Sequence, residues 1–336
     1  MAVDKIKVSG DSRVEHRSAF VNGKTYGYLY SVPASGQYKG TVVLLHGFPD
    51  LSIGWRYQIP LFINRGYRVI APDCIGYGRT DAPLELDAYS HKSCADDIKE
   101  LANQLGASKI ILGGHDWGAA LAYRVALWHP DLVTHLFTVC VPYNPPYKKY
   151  MTLEEMVAKV APHFGYQLHF VSGEIEQAVK NKEENKQFLI ALYGGRTQEK
   201  EFAFDVHKGV NLEILPSLKK TWVVDEEEME YYAWEFARHG LRGPLNWYRT
   251  RKINYDDELS LQKGTIDIPV LFIQALKDAA LPPHLGKGMG KAIPQLTTKQ
   301  VNASHWALWE KPEEVNAALE AWIDEVVEGS GRVAKL

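Results

Sequence analysis

The stretch Lys109-Ile-Ile-Leu-Gly-Gly-His-Asp-Trp-Gly-Ala-Ala-Leu-Ala122 constrains this chain more than any other. A β-type apolar run ends in two glycines, an acid stands at Asp116, and a helix-forming run begins at once. A strand that turns straight into a helix crowds its own corner, and small residues two before and two after the corner relieve that crowding. Gly114-His115-Asp116-Trp117-Gly118 has that frame. Its central residue is a carboxylic acid where such elbows commonly carry serine.

The surrounding chain alternates strand and helix patterns. Asn22-Gly23 joins two β-type runs, Val14 to Val21 and Lys24 to Ser31, as a two-residue hairpin. Gly40 to Leu45 is continuously apolar, as a strand buried on both faces should be, and runs into the turn His46-Gly47-Phe48-Pro49. A helix over Ser52 to Arg65, a strand over Tyr67 to Ala71 and a helix capped by Ser90 and reaching Leu105 follow. After the elbow come a helix over Trp117 to Trp128 and a strand over Leu132 to Val141. This rhythm predicts a parallel sheet with helices on both faces. It breaks at Pro142 and resumes near Lys263, so the stretch between reads as a helical insertion. Val270 to Ala275 is the next strand, followed by a Pro282-Pro283 turn and helix, a weak strand over Leu296 to Val301, and a last helix over Pro312 to Val327. The predicted domains are therefore 1–141 and 264–336 for one core and 142–263 for the insertion. At 336 residues and 46% hydrophobic content, the chain is long enough to bury such a core.

Four features fall at the carboxyl ends of the strands, where open α/β sheets gather their function: the His46 to Pro49 turn, Asp116, Asp278 and His305. Singly, each has an ordinary structural explanation, such as a helix cap for Asp116 or a turn for Asp278. Together they follow the order nucleophile, acid, histidine of the α/β-hydrolase triad. A carboxylate needs no base to become a nucleophile near neutral pH. Attack on a saturated carbon would give an ester that water can clear, where serine would give an inert ether. His305 would act as general base on that water, oriented by Asp278. The backbone N–H groups of Phe48 and Trp117 would meet the negative charge on the tetrahedral intermediate, each such donor being worth on the order of 3 kcal/mol.

With these motifs the chain resembles the soluble epoxide hydrolases of the α/β-hydrolase superfamily over nearly its whole length. The resemblance rests on His46-Gly-Phe-Pro49, Gly114-His-Asp-Trp-Gly118, the Asp278 loop, and Ser304-His-Trp306 before Lys311-Pro312. Two insertion segments add to it: Phe164-Gly-Tyr-Gln-Leu168 and Arg242-Gly-Pro-Leu-Asn-Trp-Tyr-Arg249. It implies an α/β-hydrolase fold, with a mostly parallel eight-stranded sheet and an inserted helical cap domain. It further implies that Tyr166 and Tyr248 are cap phenols that activate the epoxide oxygen, and that Phe48, Trp117 and Trp247 contact the substrate. The substrates would be a small-molecule epoxide and water, with no metal and no cofactor. No phosphatase-like segment precedes the core, unlike in the vertebrate members, so the expectation is limited to epoxide chemistry. The segment Gly173 to Asn211 matches no motif and is expected to bear on substrate preference.

Two rivals share the fold: a haloalkane dehalogenase, in which paired phenols would have no purpose, and a non-catalytic binding homologue, which would not need the full residue set. Net charge of -3 without a basic patch argues against nucleic acid, and no apolar run approaches a membrane span. Cys74, Cys94 and Cys140 lack disulfide or zinc spacing. With no apolar N-terminal leader, they point to a cytoplasmic protein. The tail Ala334-Lys335-Leu336 resembles a relaxed peroxisomal address, a secondary expectation. Monomer and homodimer are both left open by the sequence.

Overall fold

The computed structural model describes residues 3–329; the Ala334 to Leu336 tail lies outside them. Eight strands form one sheet: β1 (Glu15–Val21), β2 (Lys24–Ser31), β3 (Gly40–Leu45), β4 (Tyr67–Pro72), β5 (Ile110–His115), β6 (Val133–Val139), and, after a two-stranded ribbon of β7 (Phe204–Asp205) and β8 (Gly209–Val210), β9 (Val270–Ala275) and β10 (Leu296–Val301). Their order is β1-β2-β4-β3-β5-β6-β9-β10. The pairs β1–β2 and β2–β4 are antiparallel and the other five are parallel. The hairpin forms as predicted, with positive φ at both Asn22 (45°) and Gly23 (82°), the conformation a tight right-twisted turn requires.

Helices α1 (Gln58–Asn64), α2 (His91–Gln104) and α3 (Trp117–Trp128) alternate with the strands. Ser90 caps α2, its hydroxyl accepting the Ser93 N–H at 3.1 Å. The predicted helix over Ser52 to Arg65 is instead a short 3-10 turn, Ser52–Trp55, followed by α1. Pro60 explains the restart, because proline has no N–H to donate and fits only in a first turn. The helix expected after Pro282-Pro283 is also corrected: two 3-10 turns, Pro283–Gly286 and Met289–Lys291, stand there. Gly286, Gly288 and Gly290 recur at every second residue and remove the helical preference. After the short α-helical turn Ala307–Glu310, the final helix is α-helical over Pro312–Trp322 and widens to a π-helical turn over Ile323–Val327.

Between β6 and β9 the regular elements among the described residues are helices and helical turns apart from the small ribbon: α4 (Leu153–Lys159), α5 (Gly165–Ser172), α6 (Glu174–Ala178), α7 (Lys182–Leu192), α8 (Glu226–Ala237), α9 (Arg242–Asn246) and α10 (Arg251–Glu258). Two buried ion pairs tie this segment to the sheet layer. Arg56 meets Glu228 of α8 at 2.7 Å, and Arg124 of α3 meets Glu258 of α10 at 2.7 Å. No described helix is long and apolar enough to cross a membrane.

Strand register delivers the functional loops to one edge. Leu45 pairs with Gly114, so the turn after β3 and the elbow after β5 emerge side by side. Val301 pairs with Ala275, which sets the Asp278 loop beside the loop carrying His305. The chain leaves β3 for β4 on one side and returns to β5 on the other, which makes this the topological switch point where α/β sheets open a crevice. The contact is tight: a Cβ on Gly118 would stand 2.1 Å from the Leu45 carbonyl oxygen. Gly118→Ala should therefore lower stability by about 3 kcal/mol, as overpacking against backbone does; a shifted urea midpoint would show it.

Candidate active site

Asp116 occupies the elbow with φ 51° and ψ −127°, a conformation side chains rarely take. Its neighbours make the position possible. A Cβ on Gly114 would meet the Gly118 carbonyl oxygen at 2.4 Å, and one on Gly47 would meet Asp116 Cβ and Oδ1 at 2.4 Å and the Trp117 nitrogen at 2.6 Å. The bare backbone at Gly47 thus opens a small space shared by the Asp116 carboxylate and the Trp117 amide at the start of α3. The Phe48 N–H donates to Asp116 Oδ1 at 2.7 Å. The turn that presents it is held by His46. Cys74 N–H donates to His46 Nε2 at 2.9 Å, so the proton sits on Nδ1, which donates to the Gly47 carbonyl at 2.9 Å.

On the other side of the carboxylate, His305 Nε2 lies 3.4 Å from Asp116 Oδ2, and His305 Nδ1 bonds Asp278 Oδ2 at 2.6 Å. Asp278 is shut off from solvent, and its Oδ1 accepts the N–H groups of Ala280 and Leu281 at 2.9 Å each. Burial alone would lower the His305 pKa, but the Asp278 charge, with the Asp116 contact, raises it well above the ordinary value. Burial would raise both carboxyls, yet His305 and backbone donors hold each below its ordinary value. At rest the site is therefore an imidazolium between two carboxylates. His115 lies behind it, fully enclosed, with Nε2–H donating to the His305 carbonyl at 2.9 Å. Burial, then the His305 charge, pushes His115 down to about 4, so it stays neutral.

His115, Cys140 and His305 bring ligand-type atoms within 4.8 Å of one another, one such grouping among the described residues. Its chemistry is that of a packed floor. Burial pushes the Cys140 thiol well above its ordinary value, Cys140 Sγ–H points to the His305 carbonyl at 3.4 Å, and His305 Nδ1 is engaged by Asp278.

The two sequence-predicted tyrosines arrive from the helical segment. Tyr166 stands on α5, whose first residue, Gly165, passes so close to the His207 carbonyl that a Cβ would stand 2.1 Å from it. Tyr248 follows α9 in the 3-10 turn Trp247–Arg249. The two rings sit 6.2 Å apart, and Tyr248 packs edge-on against Phe48 (5.3 Å) and Trp117 (5.1 Å). Burial first raises both hydroxyls above their ordinary value; the Tyr166 phenol and then the Asp116 charge add to this for Tyr248, and the Asp116 charge does so for Tyr166, so both are neutral donors. Trp247 is buried in the wall, its indole N–H donated to the Ile75 carbonyl at 3.0 Å.

Two cavities, of about 320 and 470 Å³, each include Asp116, Tyr166 and Tyr248 in their walls. The first extends past Trp117 and Trp247 toward Met151 and Leu285; the second runs past Phe48, Phe170 and Leu192 toward Phe202 and Trp222. The carboxylate and the phenols thus stand where two arms meet. The segment Gly173 to Asn211, which carries no recognisable motif, supplies much of the second arm. The contacts made by His46, His115, Tyr193 and Tyr232 have no counterpart among the expectations drawn from the sequence. His46 and His115 adjoin recognised motifs, whereas nothing local marks two tyrosines out of 18.

The sheet order, the elbow and the paired acid and histidine define an α/β hydrolase with a carboxylate at the elbow. The alpha/beta hydrolase fold family matches residues 40–312. Epoxide hydrolase srdG of Neurospora crassa is 42% identical over 323 residues, covering 91% of this chain and 94% of that protein. Bifunctional epoxide hydrolase 2 of Rattus norvegicus is 32% identical over 88% of this chain, a match spanning 53% of that longer protein. Among solved structures, epoxide hydrolase A from Mycobacterium thermoresistibile superposes with a TM-score of 0.80 at 29% identity, covering 93% of this chain and 98% of that one. The chain belongs to the α/β-hydrolase fold family and, within it, to the epoxide hydrolases.

The charge arrangement makes a checkable statement. Replacing Asp116 by Ala removes one of the two anions that raise His305, so the His305 pKa should fall relative to the parent protein. A ¹⁵N NMR titration of the imidazole would show the inflection moved to lower pH in Asp116→Ala.

Proposed function

We propose that the protein hydrolyses epoxides to vicinal diols through an ester on Asp116, with 142–263 acting as the cap domain. Asp116 Oδ2 attacks a ring carbon, the carbon–oxygen bond breaks, and the oxygen takes a proton from the Tyr166 and Tyr248 phenols. Oδ1, already bonded to the Phe48 amide, becomes the ester carbonyl oxygen. Forming the ester removes the Asp116 charge, and with it part of what keeps His305 protonated. His305 can then return its proton, relayed by water, to the phenolate left by ring opening, and serve as base. Water attacks the Asp116 carbonyl carbon while Nε2 takes its proton. The tetrahedral intermediate places its charge on Oδ1, facing the Phe48 and Trp117 amides, and collapses as the proton of its new hydroxyl passes, by way of His305, to the departing diol oxygen, which leaves the free carboxylate. One water is consumed per epoxide, and every step is carried by side chains, backbone amides and water.

The observation that carries this reading is the meeting of Asp116, Tyr166 and Tyr248 in both cavities. A nucleophile faces two neutral proton donors across the space an epoxide would occupy, with an arm on either side for each substituent. We therefore place epoxides with a substituent on each ring carbon among the preferred substrates, with Phe48, Trp117 and Trp247 as apolar walls. Halide release, the alternative, would call on indole donors such as Trp117, but the Trp117 indole faces the Tyr248 hydroxyl and the Trp247 N–H is given to Ile75. The three cysteines are buried and unpaired, which supports a reducing, cytoplasmic setting.

The test is diol formation from 1,2-disubstituted epoxides, with chloroalkanes as the control. Asp116→Ala should lose turnover entirely. His305→Gln should accumulate the ester, seen as a mass increase of one substrate on intact protein; absence of any adduct would defeat the two-step scheme. Tyr248→Phe should slow ester formation by 10-fold or more and leave ester hydrolysis nearly unchanged, on the ordinary scale of general acid catalysis of about 10² to 10⁴ for a full donor. Rapid-quench kinetics separates the two steps.

A further inference from the structure

Resting on the two-step scheme above, we propose that Tyr193 and Tyr232 are positioning residues for ester hydrolysis: through their hydroxyls the helical segment fixes the turn that presents the Phe48 amide to Asp116. Tyr193 follows α7, and its hydroxyl donates to the Pro49 carbonyl at 2.6 Å. Tyr232 is on α8, and its hydroxyl donates to Asp50 Oδ1 at 2.6 Å. Both side chains are fully buried.

The two bonds fall on the residues directly after Phe48. The turn is held at its start by the His46 Nδ1–H and, from within the turn itself, by the Asp50 N–H, which both reach the Gly47 carbonyl (2.9 and 3.1 Å). Among the described residues it is Tyr193 that meets the Pro49 carbonyl. Asp50 Oδ1 also takes the Leu51 N–H at 2.7 Å, whereas its Oδ2 has no partner among the described residues. Among the described residues Tyr232 is thus the one group outside the turn that hydrogen-bonds this buried carboxyl, with the Arg56 charge acting on it from the sheet layer. The far half of the oxyanion turn is anchored to the segment 142–263, not to the sheet.

The same tyrosines reach the base. Tyr193 packs edge-on against Trp306 at 4.8 Å and Trp309 at 5.2 Å, and Tyr232 packs against Trp309 at 5.9 Å. Trp306 directly follows His305 and donates its indole N–H to the Leu192 carbonyl at 3.1 Å. The oxyanion donor and the His305 loop therefore share one buried aromatic support.

The two chemical steps use this support unequally. During ester formation negative charge leaves Oδ1, so the Phe48 bond does not strengthen. During ester hydrolysis charge builds on Oδ1, and a donor displaced by a fraction of an ångström loses much of its effect. A strut serving stability alone would not separate the steps.

The experiment compares the full-length parent with Tyr193→Phe, Tyr232→Phe and the double variant in single turnovers of a diaryl epoxide, following ester by quench and intact mass. Ester formation should stay within about twofold, which also shows that the variants are folded. Hydrolysis should slow about tenfold in each, so that ester accumulates. Unchanged rates for both steps, or equal slowing of both, would overturn the proposal. If either variant does not fold, the other decides, since the two bonds are separate. A parent protein that forms neither ester nor diol would instead overturn the underlying scheme.

Discussion

The structure depends on how closely the elbow can approach the turn after β3. Positions 47, 114 and 118 each lie within about a van der Waals diameter of facing backbone or of Asp116 itself, with hypothetical Cβ contacts of 2.1 to 2.4 Å. A side chain at 47 or 118 would push the end of β3 and its turn away from the elbow, and one at 114 would push β5 off the start of α3. The separation would break the Phe48 amide bond to Asp116 Oδ1 and withdraw the Trp117 amide from the same space. The β3–β5 pairing sets the distance, and the absence of side chains at these three positions lets it be that short.

Charge organises the rest of the site. Three ionised groups in one partly closed crevice would be unfavourable singly, but an imidazolium between two carboxylates is mutually stabilising, and Asp278 has two backbone N–H groups besides. The balance is responsive. In the proposed scheme, ester formation would neutralise one anion and so release His305, which supports Asp116 as a carboxylate, to act as base. The phenols opposite remain neutral because burial and the same anions disfavour a further negative charge.

Much of this arrangement was legible in the chain. The Asn22-Gly23 hairpin, the buried strand Gly40 to Leu45, the elbow and the helix Trp117 to Trp128 each rest on local chemistry, and local chemistry is written in consecutive residues. Asp116, Asp278 and His305 could be ranked because strand ends are a small set of places. Where the reading went astray, distributed small effects decided the outcome: Pro60 restarts one helix, and three alternating glycines dissolve another into 3-10 turns. Tyr193 and Tyr232 had no local signature at all. Their hydroxyl partners, Pro49 and Asp50, are 144 and 182 residues away in sequence.

What the sequence determined by itself was the kind of chemistry. A carboxylate on an elbow framed by Gly114 and Gly118, with a histidine and an acid at later strand ends, is what the proposed covalent attack and hydrolysis call for, and it is legible because backbone strain and residue type are properties of a few adjacent positions. What the tertiary structure alone decided was the environment of that chemistry: two arms meeting at Asp116, a histidine raised by two anions, and a turn after β3 whose Pro49 and Asp50 are hydrogen-bonded by tyrosines from far along the chain. Cavity shape, desolvation and long-range hydrogen bonds arise only when distant segments are brought together, and no stretch of sequence carries them alone.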